Sequence, residues 1–148
     1  MRVCLVHHAD AVGPQVDTQR PLSERGHQQA EWLAAYVQGI GFMPAAIWHS
    51  GKLRSRQTAE AFLRTVSPFA QFKMIRGLHP DDSPDWLRHE LAAETRDVLM
   101  VGHMPLIVHL ANALAPGSAA LPLHGMIGFE RDADGRWQEF ARAQPALD

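Results

Sequence analysis

Short apolar runs alternate along the chain with stretches in which apolar residues recur every three or four positions. Residues 2–6, with Val3 and Val6, predict a buried strand. Residues 9–22 hold Gly13, Pro14, Asp17, Thr18 and Pro21 without a sustained period, and read as a loop. Ser23 is a helix cap, and Ala30, Leu33, Ala34 and Val37, widened by Trp32 and Tyr36, predict a helix over 24–38 that Gly39 and Gly41 end. A second strand is predicted over 45–49, a helix over 52–66 stopped by Ser67-Pro68, and a weak third strand over 71–76. A polar loop over 77–84 and a short helix over about 84–94 follow. Val98-Leu99-Met100-Val101 is the clearest strand, and Pro105 opens a helix that Pro116 and Gly117 stop. Residues 122–131 and 136–142 predict a closing hairpin around Asp132-Ala133-Asp134-Gly135. Strands alternating with helices imply an α/β fold, a three-layer α/β/α sandwich whose mainly parallel sheet has an antiparallel end. With no repeat or linker, residues 1–148 are expected to form a single domain.

Composition narrows the partners. A net charge of −2 gives no basic field for nucleic acid or an anionic membrane. No apolar run is long enough for a membrane span, and the chain enters its first strand at once, so no signal peptide is expected. Cys4 is the single cysteine, within the first strand, so no intrachain disulfide forms; this fits a cytoplasmic location. The oddity is nine histidines, spread over the chain.

Some of these histidines fall where chemistry is expected. Ligands of an open parallel sheet bind beyond the carboxyl ends of its strands. The first strand ends at His7-His8, the second at Ser50 just before Arg54, and the fourth at Gly102-His103. Right-handed crossovers bring these ends to one edge. Free N–H groups of the helices after Ser50 and Pro105 add positive potential, so the edge suits an anion, most naturally a phosphoryl group. Because strand neighbours point to opposite faces, His7 and His8 share a site only if the backbone turns there; otherwise one is a core residue and the other is at the surface. Three other readings compete. Zinc would use histidines, but there is no His-Glu-x-x-His and an arginine intrudes. His103 and Arg54 could be a satisfied core histidine and a solvated helix residue, the reading adopted for His49. A serine triad on Ser50 lacks the Gly-x-Ser-x-Gly elbow.

Four blocks resemble the histidine phosphatase superfamily, the phosphoglycerate mutase-like fold, and within it the short SixA-type phosphohistidine phosphatases. Residues 5–11 (Leu-Val-His-His-Ala-Asp-Ala) stand at the Arg-His-Gly motif, and residues 20–26 (Arg-Pro-Leu-Ser-Glu-Arg-Gly) resemble the opening of the first helix. Residues 50–59 resemble the second-arginine block, and residues 101–105 (Val-Gly-His-Met-Pro) the second-histidine block. The resemblance implies His8 as nucleophile, Arg54 as the phosphoryl clamp and His103 as a donor to the same oxygens. It implies no metal and no organic cofactor. Its substrate would be a phosphohistidine on a protein partner or a small phosphorylated metabolite. Asp81 and Asp82 are candidate general acids, or carboxylates that start a turn. Arg20 is a substrate contact at the mouth, or a solvated loop charge.

The main departure is His7, where the family has arginine; Ala9 for glycine is a smaller one. Histidine lacks the permanent charge and bidentate fork of arginine. Losing one such contact costs about 2–4 kcal/mol of transition-state stabilisation. The chain is then a slow phosphatase, or a module that binds phosphate or phosphohistidine with little turnover.

Overall fold

The computed structural model describes residues 1–118 and 120–146, and ten elements follow one another in it. They are β1 (Arg2–His7), α1 (Glu24–Gly39), β2 (Ala46–His49), α2 (Leu53–Thr65), β3 (Gln71–Met74), α3 (Asp85–Ala93), β4 (Val98–Gly102), α4 (Leu106–Leu114), β5 (Met126–Arg131) and β6 (Trp137–Ala143). One sheet has the order β3-β2-β4-β1-β5-β6. Its first four strands are parallel, and β5 and β6 close it antiparallel.

The apolar pattern of each strand explains its place. All residues of β2 and β4 are buried, as a strand covered on both faces requires. On one face, Ala30, Leu33, Ala34 and Val37 of α1 and Ala59 and Phe62 of α2 pack against Cys4, Val6, Ile47 and Val101. On the other, Leu87 and Leu91 of α3 and Leu106, Ile107 and Leu110 of α4 pack against Val3, Leu5, Trp48 and Met100. These two cores make the expected three layers. Truncating a buried anchor such as Leu33 to alanine costs about 2–5 kcal/mol.

Register carries the strands to a common edge. His7 pairs with Gly102, and His49 pairs with Val101, so β1, β2 and β4 end at one level. Ser23 caps α1 as expected, accepting from the Gly26 amide at 3.0 Å. A Cβ at Gly26 would collide with the Asp10 carbonyl oxygen, so glycine lets α1 begin directly against the loop leaving β1.

The strand expected over 122–131 starts only at Met126. Residues 122–125 instead turn, with the Gly125 amide donating to the Pro122 carbonyl at 3.0 Å. Proline offers no N–H to a ladder, and His124 takes a left-handed backbone, φ 52. The third strand stops at Met74 rather than residue 76, as a short and largely exposed edge.

Candidate active site

Beyond the sheet edge the backbone does turn after β1, and His7 and His8 enter one pocket. Their ring centroids are 4.4 Å apart. His103 follows β4, its ring 5.0 Å from that of His8. Arg54, the second residue of α2, is close enough for its charge to be felt at His7, His8 and His103.

Hydrogen bonds decide what each ring offers. His8 places Nδ1 2.7 Å from the Ala9 carbonyl. A carbonyl only accepts, so Nδ1 carries the proton and Nε2 keeps its lone pair. The Ala9 amide donates to Thr58 Oγ1 at 3.0 Å, and that hydroxyl donates to the Arg54 carbonyl at 2.8 Å. The segment bearing His8 is thus tied to the helix bearing Arg54. Ser55 extends the brace: its Oγ accepts from the Ser50 amide and donates to the Val101 carbonyl.

His103 is buried, and its Nε2 lies 2.7 Å from Ser50 Oγ. Ser50 Oγ also accepts from the Lys52 amide at 3.3 Å. With the serine proton given to Nε2, no buried hydroxyl hydrogen is left over, and His103 carries its own proton on Nδ1. That Nδ1 and the Arg54 Nε are buried without a protein partner. Orphaned buried donors are costly, and two such donors in the cluster that holds the free His8 Nε2 are what a bound oxyanion would satisfy. Ser50 does meet a histidine, but it is 1% exposed and no carboxylate orients the ring from its other nitrogen. This is a positioning serine, not a triad.

His7 is 5% exposed, and its Nδ1 accepts the His124 amide at 2.9 Å. An accepting Nδ1 has no hydrogen, so the neutral ring is protonated on Nε2. It keeps one donor where an arginine would bring a fork and a charge. Burial foremost, then the charges of His8, His124 and Arg54, pushes the His7 pKa down to about 3. Burial lowers His8 to about 4, although its bond to Ala9 works the other way, and lowers His103 to about 2.

His124 was not among the residues singled out in the sequence. Its ring stacks on His7, centroids 4.8 Å apart and planes 10° from parallel. Its Nδ1 lies 2.7 Å from the His8 carbonyl and so is protonated, leaving Nε2 at 3.9 Å from Asp10 Oδ1. No motif surrounds it in the sequence; a left-handed histidine after proline becomes visible only in the fold. His79 was missed too: its Nε2 lies 3.0 Å from the Ser50 carbonyl.

The remaining candidates sit further out. Arg20 has φ 50, donates from Nε to the Val12 carbonyl at 3.0 Å, and its charge reaches His8 and Arg54. Asp82 accepts the His79 amide at 2.9 Å, a turn-forming role, and helps line a cavity of about 440 Å³ with Ser50 and Met74. Asp81 makes none of the described contacts to the rings. His49 accepts the Gly51 amide at 3.0 Å and packs on Phe72, as a structural histidine.

His7, His8 and His124 have ligand nitrogens within 4.8 Å of one another, the metal-capable group among the described residues. Tetrahedral zinc, with Zn–N near 2.0–2.1 Å, needs them about 3.4 Å apart. His8 and His124 offer free Nε2 lone pairs, but His7 spends its lone pair on an amide. A neighbouring guanidinium also opposes a dication. The cluster fits an anion better than a metal.

This fold brings a cluster of imidazoles and a guanidinium to one strand edge, an arrangement suited to an anion. The histidine phosphatase superfamily (branch 1) model matches residues 4–86, and the chain belongs to that family. It is 31% identical over 134 residues to an uncharacterised protein of Picosynechococcus sp., covering 84% of this chain and 80% of the relative. It is 26% identical over 122 residues to the phosphohistidine phosphatase SixA of Escherichia coli, covering 79% of this chain and 76% of that protein. A structure of the protein histidine phosphatase SixA complexed with tungstate superposes with a TM-score of 0.87 at 22% identity, over 98% of this chain and 97% of that one.

Proposed function

We propose that this protein hydrolyses a phosphoramidate or phosphomonoester through a phosphohistidine intermediate on His8, with phosphohistidine of a partner protein as the favoured substrate. The observation that carries this is His8 Nε2, left with its lone pair by the Nδ1–Ala9 bond and set beside the unpartnered donors of Arg54 and His103. The lone pair attacks phosphorus while the bond to the leaving group breaks, and the leaving atom takes the bonding pair and then a proton. Water next attacks phosphorus, releasing phosphate and restoring His8. Arg54 and His103 hold the phosphoryl oxygens as charge builds on them. No metal is required for either step.

Two features favour a protein substrate. The relatives named SixA are phosphohistidine phosphatases. A chain of 148 residues has little material for a lid over the site, which suits a protruding side chain. A small phosphorylated metabolite is the variant. A cytoplasmic reaction is supported by one buried, unpaired thiol, Cys4; no helix among the described residues is long and apolar enough to cross a membrane.

The second reading, a phosphate- or phosphohistidine-binding module, is favoured by His7 alone, a neutral ring at the motif arginine. Hydrolysis of a phosphohistidine-bearing protein and of p-nitrophenyl phosphate, for wild type beside His8→Ala, separates the two. Activity lost in the variant supports turnover through His8. Wild type inactive on both substrates, yet binding phosphate, supports the module.

A further inference from the structure

His7 leaves the β1 side of the pocket without a permanent charge, and the group stacked on it is another imidazole. His124 is held there by features that a surface loop does not require. Its backbone lies in the left-handed region at φ 52, which a non-glycine residue adopts at some cost. Its amide is fixed by His7 Nδ1, and its own Nδ1 by the His8 carbonyl. The flanking Gly125 carbonyl accepts the His7 amide at 3.0 Å. Nε2 is the ring nitrogen left without a hydrogen bond to the backbone. It stands 3.9 Å from Asp10 Oδ1, while Asp10 Oδ2 is engaged by the Ser23 hydroxyl at 2.6 Å. The ring centroid is 6.1 Å from that of His8, with ligand nitrogens of the two rings within 4.8 Å of each other.

We propose that His124 supplies the cation that the motif arginine would have carried: in its protonated form, its Nε2–H binds a phosphoryl oxygen beside the neutral His7 donor. The stacked pair divides between two rings what one guanidinium does, donor from His7 and charge from His124. This deepens the function proposed above and rests on the same pocket.

The charged and titratable groups around His124 fix the expected pH response. His7 at the end of β1 and His8 just after it lie against the ring, Asp10 of the following loop lies opposite Nε2, and the charges of Arg54 from α2 and Arg20 from the loop act on the neighbouring His8. Arg142 of β6 is turned to Glu139 and the Ala120 carbonyl. Arginines are charged throughout the working range, and among the described residues Asp10 is the carboxylate recorded at the ring. A bound dianion therefore acts with Asp10 to draw a proton onto His124, and binding takes up that proton.

The test uses His124→Gly, suited to the left-handed backbone, and His124→Asn, which tolerates it, each alone and with His7→Arg. Inorganic sulfate, a dianion over pH 5–8, is titrated by calorimetry in buffers of different ionisation enthalpy. Wild type should take up a proton on binding, with affinity rising toward acid pH. Both His124 variants should lose that uptake. For turnover of p-nitrophenyl phosphate, either variant should cost about 100-fold in the wild-type background and less than about threefold beside His7→Arg, because the arginine replaces the missing cation.

Equal loss in both backgrounds overturns the proposal, as does unchanged proton uptake. So does a loss that grows with the basicity of the leaving group, which would make His124 the general acid. Wild type that binds sulfate with proton uptake but turns nothing over removes the phosphatase reading and leaves the role of His124 standing.

Discussion

On the β2–β4 side of the pocket the groups are a guanidinium and a buried imidazole, Arg54 and His103, locked by Ser50, Ser55 and Thr58. On the β1–β5 side three imidazoles cluster, His7, His8 and His124, with Asp10 beside the last. The first side has charge at any pH in the working range. On the second side, burial holds His7 and His8 well below the usual imidazole range. Burial thus keeps the His8 ring unprotonated, and under the proposal above His124 adds positive charge to this side when an anion arrives.

The sharpest break in the comparison is His8→Ala, which should lower turnover by about 10³-fold or more on any substrate, measured at saturating substrate. Next comes Arg54→Lys. It keeps a charge but loses the planar fork, so kcat/KM should fall about 100-fold, nearly evenly from pH 5 to 8. A steep new pH dependence in that variant would mean that the permanent charge is not confined to the β2–β4 side. Ser50→Ala follows, with a loss of about tenfold. Because Ser50 acts through the His103 ring, nitrogen NMR should show His103 shifting away from its Nδ1–H form while the melting temperature changes little. An unchanged tautomer would remove the positioning role.

The smallest effect is on stability. Unfolded imidazoles titrate near pH 6.5. Folded His7 and His8 are held to about 3 and 4, and His103 to about 2. Between those limits the unfolded chain binds more protons than the folded one, so stability falls as pH drops below about 6.5. Thermal melts from pH 8 to 4.5 should show that decline, with sulfate restoring part of it. A melting temperature flat across this range would show that the rings are not held neutral.

Much of the layout was legible from the chain. Apolar periodicity located β1, β2, β4 and the helices, because buried strands and amphipathic helices leave clear patterns. The edge strand β3 and the Pro122–Gly125 turn were harder. An exposed edge needs little apolar sequence, and a short apolar run reads alike as strand or turn. His8, Arg54 and His103 stood out because each follows a strand end. His124 follows none, His79 follows only the weak edge strand β3, and their positions depend on contacts across 116 and 29 residues.

The sequence by itself determined the strand and helix order, the carboxyl-end chemistry and the exchange of arginine for histidine at position 7. These are local properties of pattern and residue type. Only the tertiary structure decided which nitrogen of each ring is free. That choice depends on whether a carbonyl, an amide or a hydroxyl faces the ring, and the carbonyl of Ala9, the amide of His124 and the hydroxyl of Ser50 reach their rings only after the strands have paired in register.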